Sequence, residues 1–344
     1  MRFTHANRPT SGLLPLFRLL PLLGLLSLTP ASEAGSNART AKPTPTARTV
    51  PPGASLTLIH GEDEYQGDPR IGTYVSSTWG FSTSSYWIEG PDGLILIDTQ
   101  FLTSAAGEFI DWAEQVTGKK AKLAVVLHAN PDKFNGVAVF KARGIPVVTS
   151  EQVRALIPGI HEKRLRAFYD RYQPDYPKEL TLPDAFGNQT TELKAAGLTI
   201  KAHVLGPGCS EAHVVVEFEG HLFTGDLVAN GSHSWLEIGR PDEWLKRLET
   251  LEALNPSYIH PGRGLTGDAR LLKMEANYLN AVMDAVAAER PKGEPSDEAL
   301  ARIRETLENR FLGYRFAVFL NIGLPAEWRR QAALANRGSE PAGK

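Results

Sequence analysis

The chain has 344 residues, 42% of them hydrophobic and 22% charged, with a formal net charge of −2. Those values fit a globular protein with a substantial core, and the near-neutral balance gives no basis for nucleic acid or a membrane surface as partner. A single cysteine, Cys209, excludes an internal disulfide.

The first 34 residues read as a secretory signal. Arg2 and Arg8 supply a positive start, Leu13 to Leu28 is leucine-rich, and Ser32-Glu33-Ala34 offers small residues for processing. Pro15, Arg18, Pro21 and Pro30 cut the apolar run below a bilayer span, so stable membrane insertion is not expected once the signal is removed. A periplasmic or secreted location follows as an expectation. Residues 35–53 are rich in Ala, Thr, Pro and Ser and read as a flexible linker. The ordered domain is expected over 54–290, a helical extension over 291–338 and a disordered tail over 339–344.

Within the domain, Tyr74 to Glu89 and Leu94 to Asp98 predict a β-hairpin around the turn Pro91-Asp92-Gly93. Ala105 to Gln115 has helical spacing. Leu123 to Leu127 is a buried strand leading to His128, Gly136 to Arg143 a helix, and Ile145 to Val148 another strand. Residues 150–184 are helical or irregular. Strands then recur at Leu198 to Leu205, Val214 to Phe218 and Leu222 to Thr224. Asp242 to Leu254 is an amphipathic helix carrying Trp244, Leu245, Leu248 and Leu251 on one side. Tyr258-Ile259-His260 closes the strands at the turn Pro261-Gly262-Arg263-Gly264, and two or three helices follow. Hairpins in both halves, with helices between, predict an α/β protein with two packed sheets.

Four polar stations sit just beyond strand-like runs, where rigid scaffolds present functional groups. They are His128-Ala129-Asn130-Pro131-Asp132-Lys133, Gly206-Pro207-Gly208-Cys209, Thr224-Gly225-Asp226 and His260-Pro261-Gly262-Arg263-Gly264. Taken singly each is an ordinary turn. There is no Gly-x-Ser-x-Gly elbow, no phosphate-cradling glycine loop and no His-Glu-x-x-His.

In order and spacing, the four stations resemble the metallo-β-lactamase superfamily from about Tyr74 to Arg270. The strand ending in Asp98 precedes a loop that in the family reads His-x-His-x-Asp-His. Here it keeps His128 and Asp132 but has Asn130 and Lys133. Cys209 stands at the histidine of a Pro-Gly-His turn, Asp226 at the bridging carboxylate, and Arg263 at the last histidine. The resemblance implies an αββα sandwich of two mixed β-sheets with the site at one sheet edge.

It also implies hydrolase ancestry with a degenerate metal site. A two-metal centre needs neutral imidazoles and carboxylates around a shared water. Lys133 and Arg263 instead carry positive charge and only donors. They are expected as metal-replacing cations, ion-paired with Asp132 and Asp226, the two carboxylates that would serve catalysis if any remains. At most one zinc is expected, on His128, Cys209 and Asp226. Asn130, His213 and His233 are further cleft candidates, and Cys209 with His128 or His213 would also make a thiol pair. The alternative is a metal-free pseudoenzyme whose cleft binds a small ligand or a protein partner, the ligand itself being open.

Overall fold

The structure, a computed structural model, describes residues 57–60 and 68–338. The signal segment, linker and tail expected at 1–34, 35–53 and 339–344 lie outside the described residues. Strands β1 (Thr57–His60), β2 (Ile71–Val75), β3 (Ser84–Gly90), β4 (Gly93–Ile97), β5 (Ala121–Val125), β6 (Val147–Thr149) and β7 (Asp184–Ala185) form one sheet in sequence order. Its first three pairings are antiparallel and its last three parallel. The parallel steps require crossovers. Helix α1 (Thr103–Thr117) links β4 to β5, α2 (Pro131–Phe134) and α3 (Val137–Ala142) link β5 to β6, and α4 (Glu151–Tyr172) precedes β7.

The second sheet has the order β12-β11-β10-β9-β8, from β8 (Thr191–Ala195), β9 (Leu198–Leu205), β10 (His213–Phe218), β11 (His221–Ala229) and β12 (Tyr258–Arg263). Alternation along its strands sorts side chains between two cores. Val214, Val216, Phe218 and Phe223 join the first sheet's Tyr86, Ile88 and Leu96. Val215 and Leu222 join the core beneath α5 (Pro241–Glu252), α6 (Arg270–Ala288), α7 (Asp297–Arg310) and α8 (Leu320–Gly338). A sheet apolar on both faces must be covered on both. The result is two mixed sheets face to face, with helices outside, as the sequence predicts. Among the described residues no helix is long and apolar enough to cross a membrane.

Several elements differ from the sequence reading: β1 and β7 fall where no strand was expected, and Tyr74 to Glu89 is divided between β2 and β3. The expected turn at Pro261-Gly262-Arg263 is the end of β12, because the long β11 continues and pairs with it through Gly225–Pro261 and Ala229–Arg263. β12 is an edge strand, where proline is tolerated. β8 was not expected. It is an edge strand with no fully buried side chain and so carries no hydrophobic alternation.

Candidate functional site

The strand ends deliver the site. β4 runs into Asp98, whose φ of 63° is uncommon for a non-glycine residue. The Leu127 amide donates to Asp98 Oδ1 at 2.9 Å and fixes the carboxyl. β5 leads to His128 and onward to Asp132 and Lys133 on α2, and Asp226 stands within β11. At Gly262 a Cβ would fall 2.0 Å from Asp226 Oδ1, so only glycine lets β12 pass this close.

Lys133 is fully buried. Its Nζ lies 3.0 Å from Asp226 Oδ1, 3.2 Å from Asp132 Oδ2 and 3.6 Å from Asp98 Oδ2. All three are ion pairs that lack hydrogen-bond geometry. Arg263 completes the floor with directed bonds. Its Nη1 donates to Asp226 Oδ2 at 2.6 Å, its Nη2 to Asp132 Oδ2 at 2.9 Å and its Nε to the Phe81 carbonyl at 3.2 Å. Burial alone would lower the Lys133 pKa, but Asp132, Asp226 and Asp98 outweigh it and hold the ammonium firmly protonated. Burial pushes Asp98 up to about 6 against the pull of Lys133. For Asp226 burial is outweighed by Arg263 and Lys133, and its carboxyl is held well below the usual range.

Beside this floor lies a second group. Cys209 Sγ is 3.7 Å from His128 Nε2 and 3.8 Å from His213 Nε2, all three residues being buried. The three ligand atoms lie within 4.8 Å of one another, a spacing that could hold a metal ion. His128 Nε2 is also 3.7 Å from Asp226 Oδ2. Burial, with Asp226 adding to it, pushes the Cys209 thiol well up, so it stays protonated. The Ser210 amide donates to His213 Nε2 at 3.1 Å, which occupies the lone pair a metal would use. The Nδ1 atoms of His128 and His213 have no partner among the described residues, whereas ligand histidines ordinarily donate from their second nitrogen.

Above the floor is a cleft lined by Asn130, Asp132, Asp226 and Arg263, and walled by Phe81, Phe101, Phe168, Trp235 and Phe319. The sequence reading missed the aromatic wall, because its members come from five separate segments with no shared motif. His213 lies in the cysteine group and is not among the lining residues. His233, expected in the cleft, is a correction. Its Nδ1 meets the Tyr278 hydroxyl at 3.0 Å and its ring packs on Tyr314, because the loop after β11 turns it into the core beneath α6. The structure therefore brings together His128, Asp132, Lys133, Cys209, Asp226 and Arg263 at one end of the sheets, with Asn130 facing the cleft.

Comparison with known proteins places this arrangement. A family model described as the metallo-beta-lactamase superfamily matches residues 78–263, more than half of the chain. A metallo-beta-lactamase type 2 from Bacillus cereus is 24% identical over 191 residues, 52% of this chain and 66% of that protein. The chain thus spans just under two thirds of that relative's length. Among solved structures, a metallo-beta-lactamase from Pontibacter korlensis is 21% identical with a TM-score of 0.50, covering 61% of this chain and 95% of that one. The DIM-1 metallo-beta-lactamase is 18% identical with a TM-score of 0.51, covering 66% and 98%. Likeness at this level establishes the fold.

Proposed function

We propose that this chain, which belongs to the metallo-beta-lactamase superfamily, is an exported protein of hydrolase ancestry that has exchanged its two-metal centre for an ion-pair cluster and keeps the cleft for binding a small ligand. One observation carries the reading. Lys133 Nζ sits within 3.0–3.6 Å of Asp226, Asp132 and Asp98, so an ammonium supplies the charge those carboxylates require. A zinc ion bridging Asp132 and Asp226 would meet Lys133 and Arg263 within a few ångströms and would find no imidazole from either. The residues do not fit a two-metal centre. Support for export is the sequence of residues 1–34, and N-terminal sequencing of protein recovered from the secreting cell tests it.

The reading is tested by turnover and metal content together. Purified, untagged protein is expected to hold fewer than two metal ions per chain and to leave a chromogenic β-lactam intact with or without added zinc. Turnover abolished by a chelator and restored by zinc would overturn the loss of the two-metal centre.

A second reading has its own support in the grouping of His128, Cys209 and His213. It keeps a single metal on His128 and Cys209, with Asp226 or His213 as the third ligand, and such an ion would supply Lewis-acid chemistry. Metal binding requires the Cys209 thiolate and would shield it from thiol reagents. On the metal-free reading, labelling of native Cys209 is slow and identical with and without zinc. Zinc-dependent protection, with a metal content near one that falls in Cys209→Ser, would establish the single-metal form.

A further inference from the structure

We infer that the cleft takes a planar aromatic molecule carrying one uncharged hydrogen-bonding group, in a pocket that the C-terminal segment helps to wall. This rests on the binding reading above and names its ligand class.

The walls argue for an aromatic ligand. Phe101 meets Phe81 and Phe168 edge-on, with centroids 5.0 and 5.5 Å apart, and Phe319 meets Trp235 edge-on at 5.0 Å. Rings so arranged present edges and faces that a further ring can join with a preference beyond its buried area. The cavity volume is about 40 Å³, within about 370 Å³ of free space that includes the open mouth. An enclosed space this small holds no whole ring, so the body of the ligand lies in the open mouth against the aromatic wall.

Charge and hydrogen bonding argue for the polar group. The charged lining residues are already paired: Arg263 with Asp132 and Asp226, and Arg164 with Glu237. A charged ligand would have to break one of these pairs. Asn130 is different. It is 8% exposed and lines the cleft, and its side-chain amide has no hydrogen-bond partner among the described residues. An amide offers both a donor and an acceptor, so a hydroxyl or a neutral carbonyl on the ligand would complete it.

Phe319 is held in place from the C-terminal side. The Arg315 amide donates to the Gly231 carbonyl at 3.0 Å and the His233 amide to the Arg315 carbonyl at 2.9 Å, fastening this segment to the loop that carries Trp235. Phe316 adopts a φ of 59° and Phe81, whose ring packs against it with centroids 6.3 Å apart, 63°. Bulky residues in the left-handed region persist where surrounding contacts enforce them, and they cluster at ligand clamps. Of the five wall residues only Phe319 lies beyond residue 263, where the family match ends.

The test is a calorimetric titration of the purified full chain with 2-naphthol, set against naphthalene, 2-naphthoate and decahydro-2-naphthol. The expected result is saturable one-site binding of 2-naphthol, with each comparator weaker by about fivefold or more. Asn130→Leu should bring 2-naphthol down to the level of naphthalene, and Trp235→Leu, in the aromatic wall, should weaken it about fivefold. Circular dichroism and a cooperative melt establish that both variants fold. No saturation, equal binding of 2-naphthoate or decahydro-2-naphthol, or indifference to both substitutions overturns the inference. Metal content of the same preparation separates the two proposals. Absence of 2-naphthol binding in a protein with fewer than two metals overturns the pocket alone, whereas two zinc ions per chain overturn the functional reading whatever the probe does.

Discussion

Lys133→Met should lower the unfolding free energy by about 3–5 kcal/mol, because it leaves buried carboxylates without their shared cation. Asp98, Asp132 and Asp226 would then face one another with Arg263 as the remaining partner. Methionine fills nearly the same space, so the loss reports charge more than packing. The cost should be smaller at pH 5 than at pH 8, since carboxylates freed of the ammonium can take up protons in acid. Adding Asp226→Asn should recover part of the loss, which a double-mutant cycle would read as coupling. Arg263→Ala should also destabilise, because Asp132 and Asp226 each lose a directed bond. Urea unfolding of these variants, with Asp226→Asn alone to close the cycle, measures all of this. A loss below about 1 kcal/mol for Lys133→Met would mean that the cluster contributes no more than an exposed ion pair.

The sheets were legible because their strands are continuous apolar runs bounded by turn residues, as in Leu94 to Ile97 and Val214 to Phe218. The positions of the polar stations were legible for a related reason. Strands buried on both faces are apolar, so His128 and Cys209 announced themselves as polar residues beyond such runs, while Asp226, inside β11, and Arg263, the last residue of β12, stood out as charges beside apolar stretches. The ion pairing of Lys133 and Arg263 with Asp132 and Asp226 was legible, because two cations stood where ligands were expected beside two carboxylates; contacts that depend on local backbone turns were not. The approach of Lys133 to Asp98 depends on Asp98 turning through a left-handed φ, which has no signature in the residues around it. The pairing of Cys209 with His213 needs the bend at Ser210 that turns the ring back on the thiol. Phe319 reaches the cleft from nearly a hundred residues beyond Asp226, through a segment whose composition marks it only as helical and irregular.

The same logic hides a further buried acid that no motif marks. Glu275 on α6 is 2% exposed and accepts from the Ala229 amide at 3.0 Å and the Ser234 hydroxyl at 2.6 Å. It ties α6 to the end of β11, three residues beyond Asp226 along the strand. Burial pushes its pKa up to about 7, with those two bonds opposing and Asp226 adding a smaller push. In the unfolded chain the same carboxyl titrates near about 4.3. Between those values the folded protein holds the extra proton, so stability falls as pH rises and the loss is complete only above the folded pKa. A gap of between two and three pH units corresponds to about 3 kcal/mol. In Glu275→Gln that contribution vanishes, while the amide keeps an acceptor for Ala229 and can donate to Ser234. The unfolding free energy of Glu275→Gln minus that of the parent should therefore rise by about 3 kcal/mol between pH 4 and pH 8. The subtraction removes the parallel contribution of Asp98 and the opposite one of Asp226, both of which remain in the variant. A difference that stays flat across this range would mean that Glu275 is ionised in the folded protein throughout, with its two donors outweighing burial.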